Sequence, residues 1–161
     1  PAPAQDIANA QILIFPGVGS FGVCMENLHK KGFYAPLKAY LQSGKAFYGI
    51  CLGMQSLFES SEETPGVAGI GIVPGTVGRF KDPKESVPHM GWNAVRPAID
   101  HPLWCDIEPG TRFYFVHSYH VVPDNNAVIA GTFDYGLTGC AARRRGTSGW
   151  TACAPAAPAS C

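Results

Sequence analysis

Cys51 has the surroundings of a reactive thiol. It closes the short apolar run Phe47-Tyr48-Gly49-Ile50, and Gly49 and Gly53 flank it. The apolar, amphipathic stretch Leu52–Phe58 follows at once. This predicts strand, sharp turn and helix, with Cys51 on the turn. The form is G-x-C-x-G, the thiol counterpart of the G-x-S-x-G nucleophile elbow. Glycines on either side let strand and helix approach closely around a strained residue. A thiol at a helix N-terminus is drawn towards thiolate. The N–H of the next residue, Leu52, would point to where an oxyanion forms. The same pattern also fits a buried structural cysteine in a glycine-rich turn, and the local pattern leaves both readings open.

A second loop could supply donors. Pro16-Gly17-Val18-Gly19-Ser20 breaks the apolar run Gln11–Phe15. It is not a Walker loop, since no G-K-[ST] follows, and G-x-G-x-x-G is not in frame. It fits a plain turn or an oxyanion-donor loop better than a phosphate cradle. His117 and His120 form the only close histidine pair; at i and i+3 in a strand they face opposite sides, so a metal site is not expected. His29, His89 and His101 read as ordinary polar residues. The six cysteines, at 24, 51, 105, 140, 153 and 161, include no C-x-x-C. Their spacing suggests no zinc ribbon or disulfide framework, and reduced thiols in an intracellular compartment are expected.

The positioning elements read as α/β. Residues 11–15 look like a strand buried on both faces of a parallel sheet. Helices are predicted over 21–31, with Phe21, Met25 and Leu28 as its stripe, and over 35–43, with Leu37, Tyr40 and Leu41. A strand over 46–50 and a helix from the elbow to about Glu59 follow. From Val67 the texture shifts to short β-branched runs between turns: 70–73, 76–80, 91–95, 112–117, 120–122 and 127–133. The loop Val87–Asn93 carries Met90 and Trp92. It reads equally as a core plug or as a partner interface. After Gly136 neither period persists. Residues 137–161 are Ala-, Pro-, Gly- and Cys-rich and are expected to be largely disordered.

Composition sets bounds. The chain has 161 residues, 46% hydrophobic and 15% charged, with zero formal net charge. That is a globular composition with room for a core. It argues against nucleic-acid or membrane-surface binding driven by charge, and Arg143-Arg144-Arg145 reads as a solvated run. No apolar run approaches the roughly 18 residues of a membrane helix. The start shows no signal-peptide pattern.

The run from Asp6 to Gly136 resembles the glutaminase domain of imidazole glycerol phosphate synthase, a class I glutamine amidotransferase. Leu13–Gly22, Gly49–Ser61, Pro88-His89-Met90-Gly91-Trp92-Asn93 and Tyr114–Tyr119 carry the likeness. The resemblance implies a three-layer αβα fold with a mostly parallel sheet, incomplete here: residues 1–136 a partial domain, 137–161 a non-homologous tail. It implies Cys51 as nucleophile, with oxyanion donors at Val18, Gly19 and Leu52. Glutamine would be held by Gly17, Gln55, Ser118 and Tyr119. A cyclase barrel would dock on Met90, Trp92 and Asn93 and receive the ammonia. No cofactor or metal is implied, and the compartment would be cytoplasm or plastid.

Two departures qualify this. The family's first strand and helix do not precede Ile12, so apolar sheet surface is expected to be bare. The family's triad histidine and glutamate, in an H-P-E-K segment after D-Y-G, have no counterpart: no histidine follows His120 and no glutamate follows Glu108. His117 and His120 are not expected to substitute. Negligible turnover is therefore expected, and the alternative is a module that docks on a cyclase or binds glutamine without hydrolysing it. Cysteine peptidase-like and stress-protein families also use a cysteine elbow, but P-H-M-G-W-N argues against them.

Overall fold

The structure is a computed structural model and describes residues 4–145, 149–151 and 156–158. Four helices and twelve strands are assigned among them. In chain order they are α1 (Ala4–Asn9), β1 (Ile12–Gly17), α2 (Phe21–Lys30), α3 (Tyr34–Gln42), β2 (Ala46–Cys51), α4 (Leu52–Gln55), β3 (Ser60–Ser61) and β4 (Gly75–Arg79). Then come β5 (His89–Ala94), β6 (Arg96–Pro97), β7 (Arg112–His117), β8 (Tyr119–Pro123), β9 (Ile129–Asp134), β10 (Thr138–Arg145), β11 (Gly149–Thr151) and β12 (Ala156–Pro158).

β1 and β2 pair in parallel, with Gly17 opposite Cys51. The helices cover one face of this pair. Phe21, Met25 and Leu28 of α2 and Leu37, Tyr40 and Leu41 of α3 bury their side chains with Phe47 of β2. The Tyr40 hydroxyl donates to the Ala46 carbonyl at 2.7 Å, which pins the start of β2 to α3. The other face of β1 is open: Ile12 is 66% and Ile14 60% exposed. A strand buried on both faces was the expectation for 11–15; one face is bare. The outer face of β2 is better covered, with Tyr48 against Ala130 and Ala142.

The later strands form a second layer. β5 pairs with β7 antiparallel and places His89 opposite His117. β4 lies between β3, parallel, and β8, antiparallel. Parallel pairing is thus confined to β1–β2 and β3–β4, and the other described pairs are antiparallel. Short links explain much of this: only Tyr135–Leu137 separates β9 from β10, and a parallel neighbour needs a long crossover. Phe80, Phe113, Phe115 and Phe133 fill this layer.

Three local differences have identifiable causes. α4 stops at Gln55 instead of running to Glu59. The N–H groups of Leu57 and Phe58 reach back only three residues, to the Met54 and Gln55 carbonyls, and that of Glu59 goes to the Gly75 carbonyl, so no α-helical bond extends the turn. The carbonyls of 56–59 accept from residues 69–73. The same bonds hold 70–73 out of a strand ladder. Finally, Thr138–Arg145, within the segment expected to be disordered, form β10. Register shifts around Cys140, Ala142 and Arg143 break the alternation. Cys140 through Arg143 are consecutively buried, so no period of two is visible in the sequence. The remainder of that segment at 146–148, 152–155 and 159–161 lies outside the described residues.

The elbow depends on two bare backbones. A Cβ on Gly53 would strike the Phe15 carbonyl, and one on Gly49 would lie 2.8 Å from the Gly53 oxygen. Gly53→Ala should therefore destabilise the chain by about 1–3 kcal/mol or more, read as a lower urea midpoint. An unchanged midpoint would show that β1 and α4 can separate freely.

Candidate active site

Cys51 closes β2 with φ 53° and ψ −111°, a conformation that L residues rarely adopt. It is forced by the close contact of β1, β2 and α4 around Gly49 and Gly53. The result is a thiol at the mouth of a cleft of about 400 Å³. Val18, Gly19, Leu52, Gln55, Ser118 and Tyr119 share the lining with Cys51, and so do Glu63, Pro88, Val116 and His117. The chain therefore brings together the nucleophile, donor-loop and glutamine-pocket residues read from the sequence, with one exception. Gly17, opposite Cys51 in the ladder, lines the neighbouring groove beside α2 instead. Val18 stands almost wholly in solvent, 96% exposed.

Gln55 is buried, and its Nε2 donates to the Tyr119 carbonyl at 3.0 Å. That bond ties the elbow helix to the start of β8 and sets the width of the cleft. Glu63 is the one charged residue on the wall. Its Oε2 accepts the N–H of Phe21 at 2.7 Å, while Thr64 Oγ1 accepts that of Gly22 at 3.2 Å. The loop after the elbow thus caps α2, which begins just after the donor loop. Glu63 was not singled out in the sequence. A carboxylate in a polar loop looks solvated, and only the cap brings it to the cleft.

Burial raises the Cys51 thiol above its ordinary value. The Leu52 N–H pulls it down, and Glu63 pushes it up again. The expected shift towards thiolate is not what the site gives: α4 is a single turn, too short for much of a macrodipole. The Leu52 N–H does face the sulfur, as the elbow pattern implies.

His117 is committed elsewhere. Its Nδ1 lies 2.8 Å from the Tyr119 carbonyl and its Nε2 3.2 Å from His89 Nδ1. Asn93 Nδ2 contacts His89 Nε2 at 3.3 Å and donates to the Asp134 carbonyl at 2.8 Å. Burial pushes both histidines down to about 4. For His117 the Tyr119 carbonyl opposes that, and His89 and His120 add to it. His120 stacks on Phe80 outside the cleft lining, and burial lowers it too. Neither is poised as a base for Cys51.

Met90 and Trp92 lie on the outer face of β5, 61% and 48% exposed, beside exposed Val116 on β7. Asn93 turns to the inner face instead. Among the described residues no group of three or more His, Cys, Asp or Glu could hold a metal ion. No helix is long and apolar enough to cross a membrane.

A parallel-strand elbow and a thiol in a strained turn beside the Leu52 N–H fit one class of protein, and comparison with known sequences agrees. The glutamine amidotransferase class-I family matches residues 2–151, and the chain belongs to that family. The match continues past Gly136 through β10 and β11. The imidazole glycerol phosphate synthase subunit HisH of Syntrophotalea carbinolica is 47% identical over 142 residues, 84% of this chain and 69% of that protein. The HisH subunit of Methanocaldococcus jannaschii is 47% identical over 137 residues. The imidazole glycerol phosphate synthase hisHF of Schizosaccharomyces pombe is 44% identical over 136 residues, 83% of this chain but 25% of that protein. A crystal structure of a glutamine amidotransferase superposes with a TM-score of 0.66 at 15% identity, covering 92% of this chain and 72% of that one, which shows the α/β fold.

The histidine pair makes stability depend on pH. The unfolded chain takes up these protons near the ordinary 6.5, the folded chain only near about 4. Between those values the unfolded state binds more protons, so stability falls as pH drops through that window. The urea midpoint should decline there, and His89→Phe should decline less steeply. Equal slopes would place the titration elsewhere.

Proposed function

We propose that this chain is the glutamine-hydrolysing part of imidazole glycerol phosphate synthase, with Cys51 as nucleophile. The observation that carries this is the strained cysteine beside the Leu52 N–H, at a cleft closed by the Gln55–Tyr119 bond. Cys51 Sγ attacks the side-chain amide carbon of glutamine. The resulting oxyanion takes N–H donors from Leu52 and the Val18–Gly19 loop. Collapse, with the thiol's proton delivered to the leaving nitrogen, releases ammonia and leaves a glutamyl thioester, which water hydrolyses to glutamate through a second oxyanion, regenerating the thiol. Gln55, Ser118 and Tyr119 bound the substrate, with Gly17 supporting the loop from its paired strand. Glu63 is the group on the wall that can meet an α-ammonium, and a charge-assisted bond there would orient glutamine.

Ammonia passes to a cyclase. The S. pombe relative, an imidazole glycerol phosphate synthase hisHF of which this chain matches 25%, supports that partner. The exposed strip of Met90, Trp92 and Val116 next to the cleft is the face on which it would dock. Asn93 would act behind that face.

Among the described residues no histidine stands ready as a base for the thiol. Burial and Glu63 both oppose deprotonation of Cys51. His117 uses both ring nitrogens in other bonds. Loss of a triad base costs on the order of 10⁴- to 10⁶-fold in rate. We therefore read this polypeptide as able to bind glutamine far better than it hydrolyses it, because expulsion of the amine in the acylation step also needs a proton donor. Residues 137–161 would not contribute to the chemistry, leaving residues 1–136 as the binding unit.

A diazoketone analogue of glutamine should label Cys51 in preference to Cys24 and Cys105, by peptide mass spectrometry, and glutamine should protect. No preference would sink this reading. Steady glutamate release in the presence of cyclase, abolished by Cys51→Ser, would overturn the part concerning turnover. Glu63→Gln should weaken glutamine protection by about tenfold, the effect of one lost charge-assisted bond. Undiminished protection would remove Glu63 from the substrate site.

A further inference from the structure

A row of hydrogen bonds runs from the inner face of β5 to the Tyr119 carbonyl, and only one arrangement of protons satisfies it. A carbonyl can only accept, so His117 Nδ1 carries a proton and donates to Tyr119 at 2.8 Å. In the neutral ring Nε2 is then an acceptor. His89 Nδ1 must donate to it across 3.2 Å. His89 Nε2 is left to accept from Asn93 Nδ2 at 3.3 Å, and the second Asn93 hydrogen goes to the Asp134 carbonyl at 2.8 Å. Every group has one role, and each role fixes the next. The surroundings keep water out: His89 is 3% exposed and stacks between the rings of Phe115 and Tyr135. Phe80 meets the edges of both histidines. The ionisable neighbours are His120 on β8, Tyr135 after β9, and Cys51 and Glu63 across the cleft.

The Tyr119 carbonyl also accepts from Gln55 Nε2. One oxygen thus receives a donor from the elbow helix and a donor from the histidine row. Those two bonds set where the Ser118–Tyr119 backbone stands relative to Cys51. Along β5 the residues alternate. His89 and Asn93 face inward to this row, while Met90 and Trp92 face outward to solvent. A contact on the outer face bears on the strand that carries the row.

We propose that His89 is a positioning residue: it fixes His117, and through it the Ser118–Tyr119 wall, and so sets how tightly the cleft holds glutamine. This rests on the glutaminase reading above. It assigns His89 no contact with substrate.

The test uses the full chain and two reagents at Cys51, the diazoketone analogue of glutamine and iodoacetamide, read by peptide mass spectrometry. Against wild type, His89→Phe should raise the half-saturating concentration of the analogue by about tenfold, the scale of a lost buried hydrogen bond. The iodoacetamide rate should stay unchanged. Asn93→Leu should act in the same direction and less strongly. An unaltered half-saturation in His89→Phe overturns the proposal, as does a matched fall with both reagents, which would be loss of the elbow itself. If His89→Phe does not fold, Asn93→Leu decides by the same criteria. A wild-type chain whose labelling neither saturates nor is blocked by glutamine overturns the glutaminase reading and this one together. That result is distinct from a saturating wild type beside an unaffected variant.

Discussion

Gly53 has no room for a side chain because the Phe15 carbonyl occupies the space. β1 and α4 can approach only as bare backbone. That approach forces the chain to reverse within one residue of β2, and the reversal falls on Cys51. The donor loop at Val18–Gly19 then lies opposite the first turn of α4, because Gly17 is the ladder partner of Cys51. Leu57 and Phe58 tighten to three-residue bonds and the Glu59 N–H goes to Gly75, which ends the helix there. The cleft is therefore a product of backbone contacts, and its side chains are fitted to a frame they do not build.

The electrostatics follow from the same packing. Burial holds the thiol protonated and both neighbouring histidines neutral. Glu63 contributes the one formal charge on the cleft wall. This combination favours a ligand with an ammonium group and a neutral amide, and no side chain beside the thiol draws it towards thiolate. Recognition and reactivity are thus separable, because they depend on different residues.

What the sequence revealed depended on how local the cause was. The elbow was legible because Gly49, Cys51 and Gly53 carry its whole logic within five positions. α2 and α3 were legible from stripes that the core confirms. Glu63 and His89 were not, since each is brought to the site by a distant pairing: the α2 cap for one and the β5–β7 ladder for the other. The strand at Thr138–Arg145 was hidden because its register shifts erase the alternation that marks a strand. The helix after the elbow was overextended because its apolar spacing says nothing about a distant carbonyl, that of Gly75, taking the Glu59 N–H. The absence of a triad base after His120 was readable directly, as a matter of composition.

The φ of 53° at Cys51 also bears on how such a site persists. A sparsely populated backbone conformation costs a non-glycine residue about 1–3 kcal/mol. Glycine would relieve that strain and leave the elbow in place. The fold alone thus has a standing preference against cysteine at this position, and drift without a chemical requirement would run towards glycine. Under the role proposed for Cys51, the thiol is held against that gradient because the same torsion angle presents it to the cleft.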